Sequence, residues 1–229
     1  AGEALELLRH LDDVLDLLGT AAVPSLRAGG LGVREIRRIA KRIGCDEART
    51  GLLVELLAAA GLIAAGVPTP DPEPDVADEY WAPTPAADTW RQGTPEHRWA
   101  SLVHAWWSLP RRLWLIGLRD SNDKPIPALA GELVHVHAVA DRHLILRTLA
   151  QAAPGAVPGP DSLLTQLSWL RPRLVNRLQR GPVEHTLSEA AALGVVARGA
   201  ITQAGRMLLD GVDPEEHMGK VLPAPLDYV

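Results

Sequence analysis

Two arginine-rich stretches are the strongest candidates for binding chemistry in this sequence. Residues 27–42 hold six cations and one acid, a local charge of +5. No acid interrupts the four arginines of the second stretch, which lies between Asp161 and Glu184. Clustered guanidinium and ammonium groups neutralise phosphates of a polyanion, which adds affinity without sequence preference. The candidate contacts, with one further arginine in a predicted turn, are Arg34, Arg37, Arg38, Lys41, Arg42, Arg171, Arg173, Arg177, Arg180 and Arg198.

The spacing of apolar residues places both stretches beside pairs of helices. It predicts helices over 33–43 and 47–60, and again over 161–170 and from Pro182, as an N-terminal proline, to Leu193. In each pair the cations lie on or just after the first helix. In a helix-turn-helix protein, that helix crosses the phosphate backbone while the second one reads the bases.

Each helix pair is followed by the pattern of a short β-hairpin. Strands are predicted over 62–64 and 80–82, and again over 195–197 and 200–201 around an Arg198-Gly199 turn, with Thr84 and Thr202 capping the helices that follow. This order predicts a mainly α fold of tandem winged helix-turn-helix modules with short β-hairpin wings around a Trp-rich helical centre.

The predicted domains are a first module over 1–94, a helical middle over 95–152, and a second module with a C-terminal tail over 153–229. The wing loop of the first module, 66–78, is acidic and proline-rich, which favours an extended polyproline conformation. The middle is expected to hold a helix from Pro95 and a long helix over 128–152. At helical spacing, the cluster Trp99, Trp106 and Trp107 favours a core over a base-stacking surface.

The second helix of each pair is a poor base-reading helix. Residues 46–60 hold three acids and one arginine, and residues 182–193 hold two glutamates and one histidine. Phosphates on both sides of a major groove repel such helices. Any DNA contact is therefore predicted to be made through the backbone, and not to depend on sequence.

Other chemistries find little support in the sequence. His135, His137, Asp141 and His143 resemble a metal cluster, but on the predicted helix over 128–152 the two first histidines would point about 200° apart. The glycines of residues 29–32 lack a preceding strand and the Lys-Ser/Thr of a phosphate loop. No Gly-x-Ser-x-Gly motif occurs. We therefore predict no enzyme activity, no metal and no cofactor for this stretch of chain.

Composition limits the kinds of partner and the cellular location that we expect. The 229 residues are 47% hydrophobic and 22% charged, with a net charge of −5, so the whole chain does not coat nucleic acid through its overall field. Cys45 is the single cysteine, and no run of eighteen apolar residues predicts a membrane span. Because the first residue is not Met, we expect part of a longer protein, located in the cytoplasm near the nucleoid.

Several ordered blocks resemble one known family. They are LRAGGLGVREIRRIAKRIGCDEARTGLLVELLAAAGLI at 26–63, YWAPT at 80–84, RWASLVHAWWSLP at 98–110, the stretch LGVVARGAITQAGRMLLDG, and LPAPLDYV at 222–229. The chain is similar to the N-terminal part of actinobacterial helicase-associated proteins that carry a domain like the N-terminal domain of XPB-type helicases. The resemblance implies work in DNA repair, with an XPB-type helicase or a repair nuclease as partner. It supplies no motor and no catalytic residue.

Three functions stay open at this point. The first is a non-catalytic region that docks a repair complex onto duplex or single-stranded DNA without sequence specificity. The second is a protein–protein interaction scaffold with no direct DNA binding, which the acidic second helices and the net charge favour. The third is a sequence-specific transcriptional regulator, which requires a base-reading helix.

Overall fold

The structure is a computed structural model that describes residues 1–69, 77–153, 156–174 and 178–223. It is mainly helical with two small antiparallel sheets, which confirms the predicted mainly α class. The chain forms two compact units, and the predicted middle over 95–152 is divided between them. We call residues 8–93 and 104–139 the N-terminal unit, and residues 1–7, 94–103 and 140–229 the C-terminal unit.

The helices and strands that begin in the first half of the chain follow the predicted order closely. Asp46 begins the third helix by accepting a hydrogen bond from the Arg49 amide, and a left-handed Gly44 ends the second. The short first strand was not predicted. The elements are α1 (Gly2–Thr20), β1 (Val23–Pro24), α2 (Val33–Ile43), α3 (Glu47–Ala59), β2 (Ile63–Gly66), β3 (Tyr80–Pro83), α4 (Pro85–Arg91) and α5 (Pro95–Trp107).

The three-stranded sheet of the N-terminal unit has the order β1-β3-β2, and all its strands are antiparallel. The hairpin pairs Ile63 with Pro83 and Gly66 with Tyr80, which confirms the predicted first hairpin. Most of its intervening loop, residues 70–76, lies outside the described residues, and so does the predicted polyproline conformation there. Gly30 packs closely against residues 128–130, where a side chain would meet the Ala128 carbonyl oxygen at 2.6 Å.

The predicted long helix over 128–152 is wrong in its first third. Residues 128–137 form an irregular segment that contains a 3₁₀ turn, Gly131–Leu133, and Leu129 has a positive φ of 62°. The Leu129 amide donates to the Glu55 carboxylate and the Ala128 carbonyl accepts from Leu31, so tertiary hydrogen bonds replace the helical ones. A helix, α6, begins only at Ala138 and ends at Ala150.

The remaining elements belong to the C-terminal unit. Helix α8 begins at Arg180, so Pro182 is not at the first helical position as predicted, although it still lies in the first turn, where its missing N–H costs nothing. The last helix was not predicted. The elements are α7 (Pro160–Leu170), a 3₁₀ turn (Pro172–Leu174), α8 (Arg180–Ala192), β4 (Val196–Ala197), β5 (Ala200–Ile201), α9 (Gln203–Leu209) and α10 (Glu215–Val221).

The second hairpin and its cap are as predicted. Arg198 and Gly199 both have positive φ, 50° and 75°, which is the type I′ turn that two-residue hairpins favour. Thr202 caps α9 by accepting a hydrogen bond from the Gly205 amide at 3.2 Å.

The tryptophans at 99 and 106 are core residues, as expected, and Trp107 is half-buried. Trp99 is fully buried, and its indole nitrogen donates to the Leu193 carbonyl at 2.9 Å. This bond ties α5 to the end of α8 within the C-terminal unit. Within the described residues, none of the helices has the length and apolar character needed to cross a membrane.

Candidate nucleic-acid interface

The cations of α2 lie together on one side of the helix. Successive residues of a helix turn by about 100°, so the five cations fall within an arc of about 140°. Ile36, Ile39 and Ala40 are buried on the opposite side. The resulting exposed strip, about 12 Å long at 1.5 Å per residue, is the α2 face. Its members, all exposed, are Arg34, Arg37, Arg38, Lys41 and Arg42.

Two of these cations already have acidic partners. The Arg37 Nε lies 2.9 Å from a carboxylate oxygen of Glu47, and the Arg38 Nε lies 2.8 Å from one of Glu35. Exposed pairs of this kind contribute only about 0–1 kcal/mol, so a phosphate can replace the carboxylate at little cost. The other three cations of the α2 face make no ion pair among the described residues.

Helix α3, the predicted second helix of the first pair, is buried through its whole middle section, Thr50–Leu57. The covering segment includes a 3₁₀ turn, Leu113–Leu115, and the side chain of Ile116. At Gly51, an added Cβ would lie 3.2 Å from the Ile116 Cδ1, so glycine lets the two elements touch. The covered part of α3 cannot enter a DNA groove unless its cover unfolds, and its first turn, residues 47–49, stays outside the cover.

A buried ion pair fastens the cover to α3. The Glu55 side chain is 1% exposed and accepts from the Arg111 Nε at 2.7 Å and from the Leu129 amide at 2.6 Å. Arg111 also donates to the Ala130 carbonyl at 2.7 Å. Burial raises the pKa of Glu55, while the Arg111 charge and the hydrogen bonds from Leu129 and Arg111 lower it by less. The fully buried carboxylate therefore has three donors from the covering segment.

The structure describes the second arginine stretch only in part. Arg171 and Arg173 are exposed at the end of α7, and Arg198 is exposed in the hairpin turn. Arg177 lies outside the described residues. The structure thus leaves three of the five predicted C-terminal contacts exposed and without an ion pair among the residues that it describes.

Arg180 differs from Arg171 and Arg173 in its position and in having acidic partners. It is the first residue of α8 itself, where the sequence suggested a place before the second helix. Its guanidinium lies 2.8 Å from Glu184 and 2.7 Å from Asp161, and these two contacts raise its pKa. Arg180 keeps its charge, but the two acids in contact with it make the local net charge negative, so this position attracts a phosphate poorly.

A groove lies between α6 and the end of α7, entirely within the C-terminal unit. It has a volume of about 780 Å³ and is lined by Arg171 and Arg173 together with Arg147. Arg147 was missed by the sequence analysis because it is a single cation in an apolar helix. The lining residues Ala140, His143, Leu144 and Arg147 follow the spacing i, i+3, i+4, i+7, so they lie on one side of α6. This spacing is the signal in the sequence that could have placed Arg147 with the other three.

The suspected metal ligands do not form a metal-binding cluster. The argument that His135 and His137 point apart on a helix is wrong, because both precede α6 and their ring centres are 5.5 Å apart. The Nδ1 of His135 accepts a hydrogen bond from the His137 amide at 3.2 Å. Asp141 and His143 lie on α6. Among the described residues, no three His, Cys, Asp or Glu side chains are arranged to hold a metal ion.

Comparisons with protein families, with curated proteins and with solved structures found no match to this chain. The resemblance to helicase-associated proteins therefore stays a prediction.

Proposed function

We propose that this chain is a non-catalytic DNA-docking protein that binds the phosphate backbone without sequence specificity. The observation that carries the proposal is the α2 face: an exposed strip of five cations beside a buried α3. A cationic strip attracts phosphates, and most of the neighbouring helix is covered and so cannot read bases.

We propose further that the N-terminal unit is a winged helix-turn-helix module. The order α1, β1, α2, α3, β2, β3 and the sheet order β1-β3-β2 support this interpretation. In the C-terminal unit, the order α7, α8, β4, β5, α9 supports a second and smaller module. In such a module α2 is the helix that crosses the backbone, which agrees with where the cations lie.

The role in a DNA-repair complex, with an XPB-type helicase or a repair nuclease as partner, follows from the family resemblance alone. It is part of the proposal because a backbone-binding protein without a motor needs a partner that supplies the work.

A salt titration of duplex binding tests the proposal. Fluorescence anisotropy with two duplexes of unrelated sequence should give equal Kd values that rise steeply with salt. The variant Arg34→Ala/Lys41→Ala/Arg42→Ala should reduce the slope of log K against log salt by about 3, close to one for each lost phosphate contact. A matched control, Arg119→Ala/Lys124→Ala/Lys220→Ala, removes three exposed cations elsewhere. Equal slopes for the two variants would refute the α2 face.

A protein-interaction scaffold is the second candidate, and a specific observation favours it. Arg37 and Arg38 of the α2 face already pair with carboxylates, which are the groups that an acidic protein would offer to the cations of a winged-helix adaptor. In that case the triple α2 variant would retain the weak duplex binding of the unaltered protein and lose co-purification with a helicase or nuclease partner.

A sequence-specific regulator is disfavoured by the burial of Thr50–Leu57. Repeated selection from random duplexes should therefore return no motif, and a reproducible motif would restore this third function.

A further inference from the structure

We infer that the groove between α6 and the end of α7, named the α6–α7 groove, binds an unpaired nucleotide of single-stranded nucleic acid. The inference rests on the proposed function in one respect, since its ligand is again nucleic acid. It adds the form of nucleic acid and a site for it.

The lining of the groove combines apolar and cationic side chains. Leu144, Leu170 and Pro172 supply apolar surface, while Arg147, Arg171 and Arg173 supply positive charge. All three arginines are exposed, and none has an ion pair among the described residues. The matching ligand has a flat apolar part and an anionic part close to each other.

Arginine, rather than lysine, carries the charge in this groove. A guanidinium binds a phosphate with two parallel hydrogen bonds, and its flat face also stacks on aromatic rings. These two properties suit the phosphate and the base of one nucleotide. A nucleotide has all the complementary parts.

Trp169, the residue before the groove-lining Leu170, is an exposed aromatic residue that does not itself line the groove. Its side chain is 83% exposed, the next residue Leu170 is 52% exposed, and Arg171 follows directly. Leu170 continues the stripe of buried Leu163 and Leu167 along α7. Trp169 lies about 100° from Leu170 around the helix axis, outside this stripe. An exposed indole two residues before Arg171 is a surface on which an unpaired base can stack, as bases do in proteins that bind single strands.

The concave shape favours a single strand over a duplex. Bases in a duplex are stacked on their neighbours and do not offer a free face to a tryptophan. A volume of about 780 Å³ falls within the range of sites that enclose a small ligand. The α2 face, in contrast, lies along the outer side of a helix.

The test measures binding of the whole protein to fluorescein-labelled dT12 and rU12, with a 12-base-pair duplex of mixed sequence as the third probe. Trp169→Ala should weaken dT12 binding by about fivefold or more, and Trp169→Phe should restore most of it, because any flat ring can stack. Arg147→Ala/Arg171→Ala/Arg173→Ala should weaken dT12 binding further. Lys124→Ala/Lys220→Ala is the control for loss of charge, and circular dichroism checks that each variant is folded.

The outcomes separate this inference from the proposed function. If groove variants lose dT12 while duplex binding depends only on the α2 face, both stand. Unchanged dT12 affinity in the Arg147→Ala/Arg171→Ala/Arg173→Ala variant overturns the inference and leaves the α2 face unaffected. Duplex binding that ignores the α2 variant, together with dT12 binding that needs the groove, leaves the inference standing and the proposed function refuted.

Two further probes exclude other anionic partners. Vesicles of phosphatidylserine and phosphatidylcholine, or a polyglutamate peptide, should not compete with dT12. If either competes in proportion to its charge and shows the same dependence on Trp169, the groove is a membrane or acidic-peptide surface, and the inference fails. Equal affinity for dT12 and rU12 marks a site for both nucleic acids, whereas a preference identifies which of the two it takes.

Discussion

The two cationic regions, the α2 face and the α6–α7 groove, differ in the side chains that lie next to their cations. On the α2 face, the cations lie on the side of a helix away from its buried residues, and the neighbouring α3 is sealed. At the α6–α7 groove, three arginines share the lining with the apolar side chains of Leu144, Leu170 and Pro172. Cations alone hold a polyanion by its charge, whereas cations around an apolar surface select a ligand that has one. The same residue type therefore supports two kinds of recognition in one chain.

Breaking the cover of α3 should have the largest effect. Arg111→Ala leaves the buried Glu55 carboxylate without its charged partner, and the expected loss in free energy of unfolding is about 3–5 kcal/mol. Urea unfolding followed by circular dichroism measures it, with Arg119→Ala as an exposed control. Replacing both partners, Glu55→Met/Arg111→Met, should recover most of the loss, and a double variant as unstable as the single one would contradict this explanation.

The raised pKa of Glu55 gives the N-terminal unit a pH dependence. The folded state holds the Glu55 proton more tightly than the unfolded state, so this group contributes stability below its ordinary pKa that is lost as the pH rises through the raised value. Each unit of the shift corresponds to about 1.4 kcal/mol. Unfolding free energies measured from pH 4.5 upwards should fall more steeply in the unaltered protein than in Glu55→Gln. Parallel curves would mean that Glu55 is not the group responsible.

Removing the acids that compete for the α2 face should sharpen the contrast between the two regions. Glu35→Gln/Glu47→Gln frees Arg38 and Arg37, so duplex affinity at low salt should rise by severalfold and the salt slope by up to about 2. Binding of dT12 at the groove should change little. Glu132→Gln, an exposed acid in the same unit, serves as the control, and an equal gain there would mean that net charge alone decides.

A small effect is expected from the cap of α9 in the C-terminal unit. Thr202→Ala removes the acceptor for the Gly205 amide and should cost about 1 kcal/mol of stability. Thr165→Ala, an exposed threonine within α7, should cost less. Differential scanning calorimetry compares the two, and the salt slope of duplex binding should be unaltered by either one.

The sequence predicted the local structure best where a pattern is periodic or where a residue has one structural use. The stripe Ile36, Ile39, Ala40 predicted α2, Gly44 its end, and Arg198-Gly199 the second hairpin. The segment 128–137 failed because its apolar residues satisfy a helical period while its backbone hydrogen bonds go to Glu55 and Leu31. Hydrogen bonds to such distant residues cannot be recognised from a short window of the sequence.

The candidate site was predictable in part for the same reason. The cations of α2 belong to a single helix, so their common side follows from spacing alone. The groove lies between α6 and the end of α7. Arg147 becomes a candidate contact only because the fold brings it to the same groove as Arg171 and Arg173, which lie more than twenty residues further along the chain. The leucines of α3 were expected to be buried, but the burial of Thr50 and Glu55 was not, because the covering segment lies more than fifty residues further along the chain.

The buried bond from the Trp99 indole to the Leu193 carbonyl decides how this protein can be dissected. A truncation beginning near residue 140 would keep the Leu193 carbonyl but remove Trp99, which donates to it. The carbonyl would be left unsatisfied, and the lost indole would leave a cavity in the core of the C-terminal unit. Expression of this half alone thus requires that residues 94–103 be carried along, for example by a circularly permuted chain. Domain mapping by successive N-terminal deletion would mistake that loss of packing for loss of a binding site.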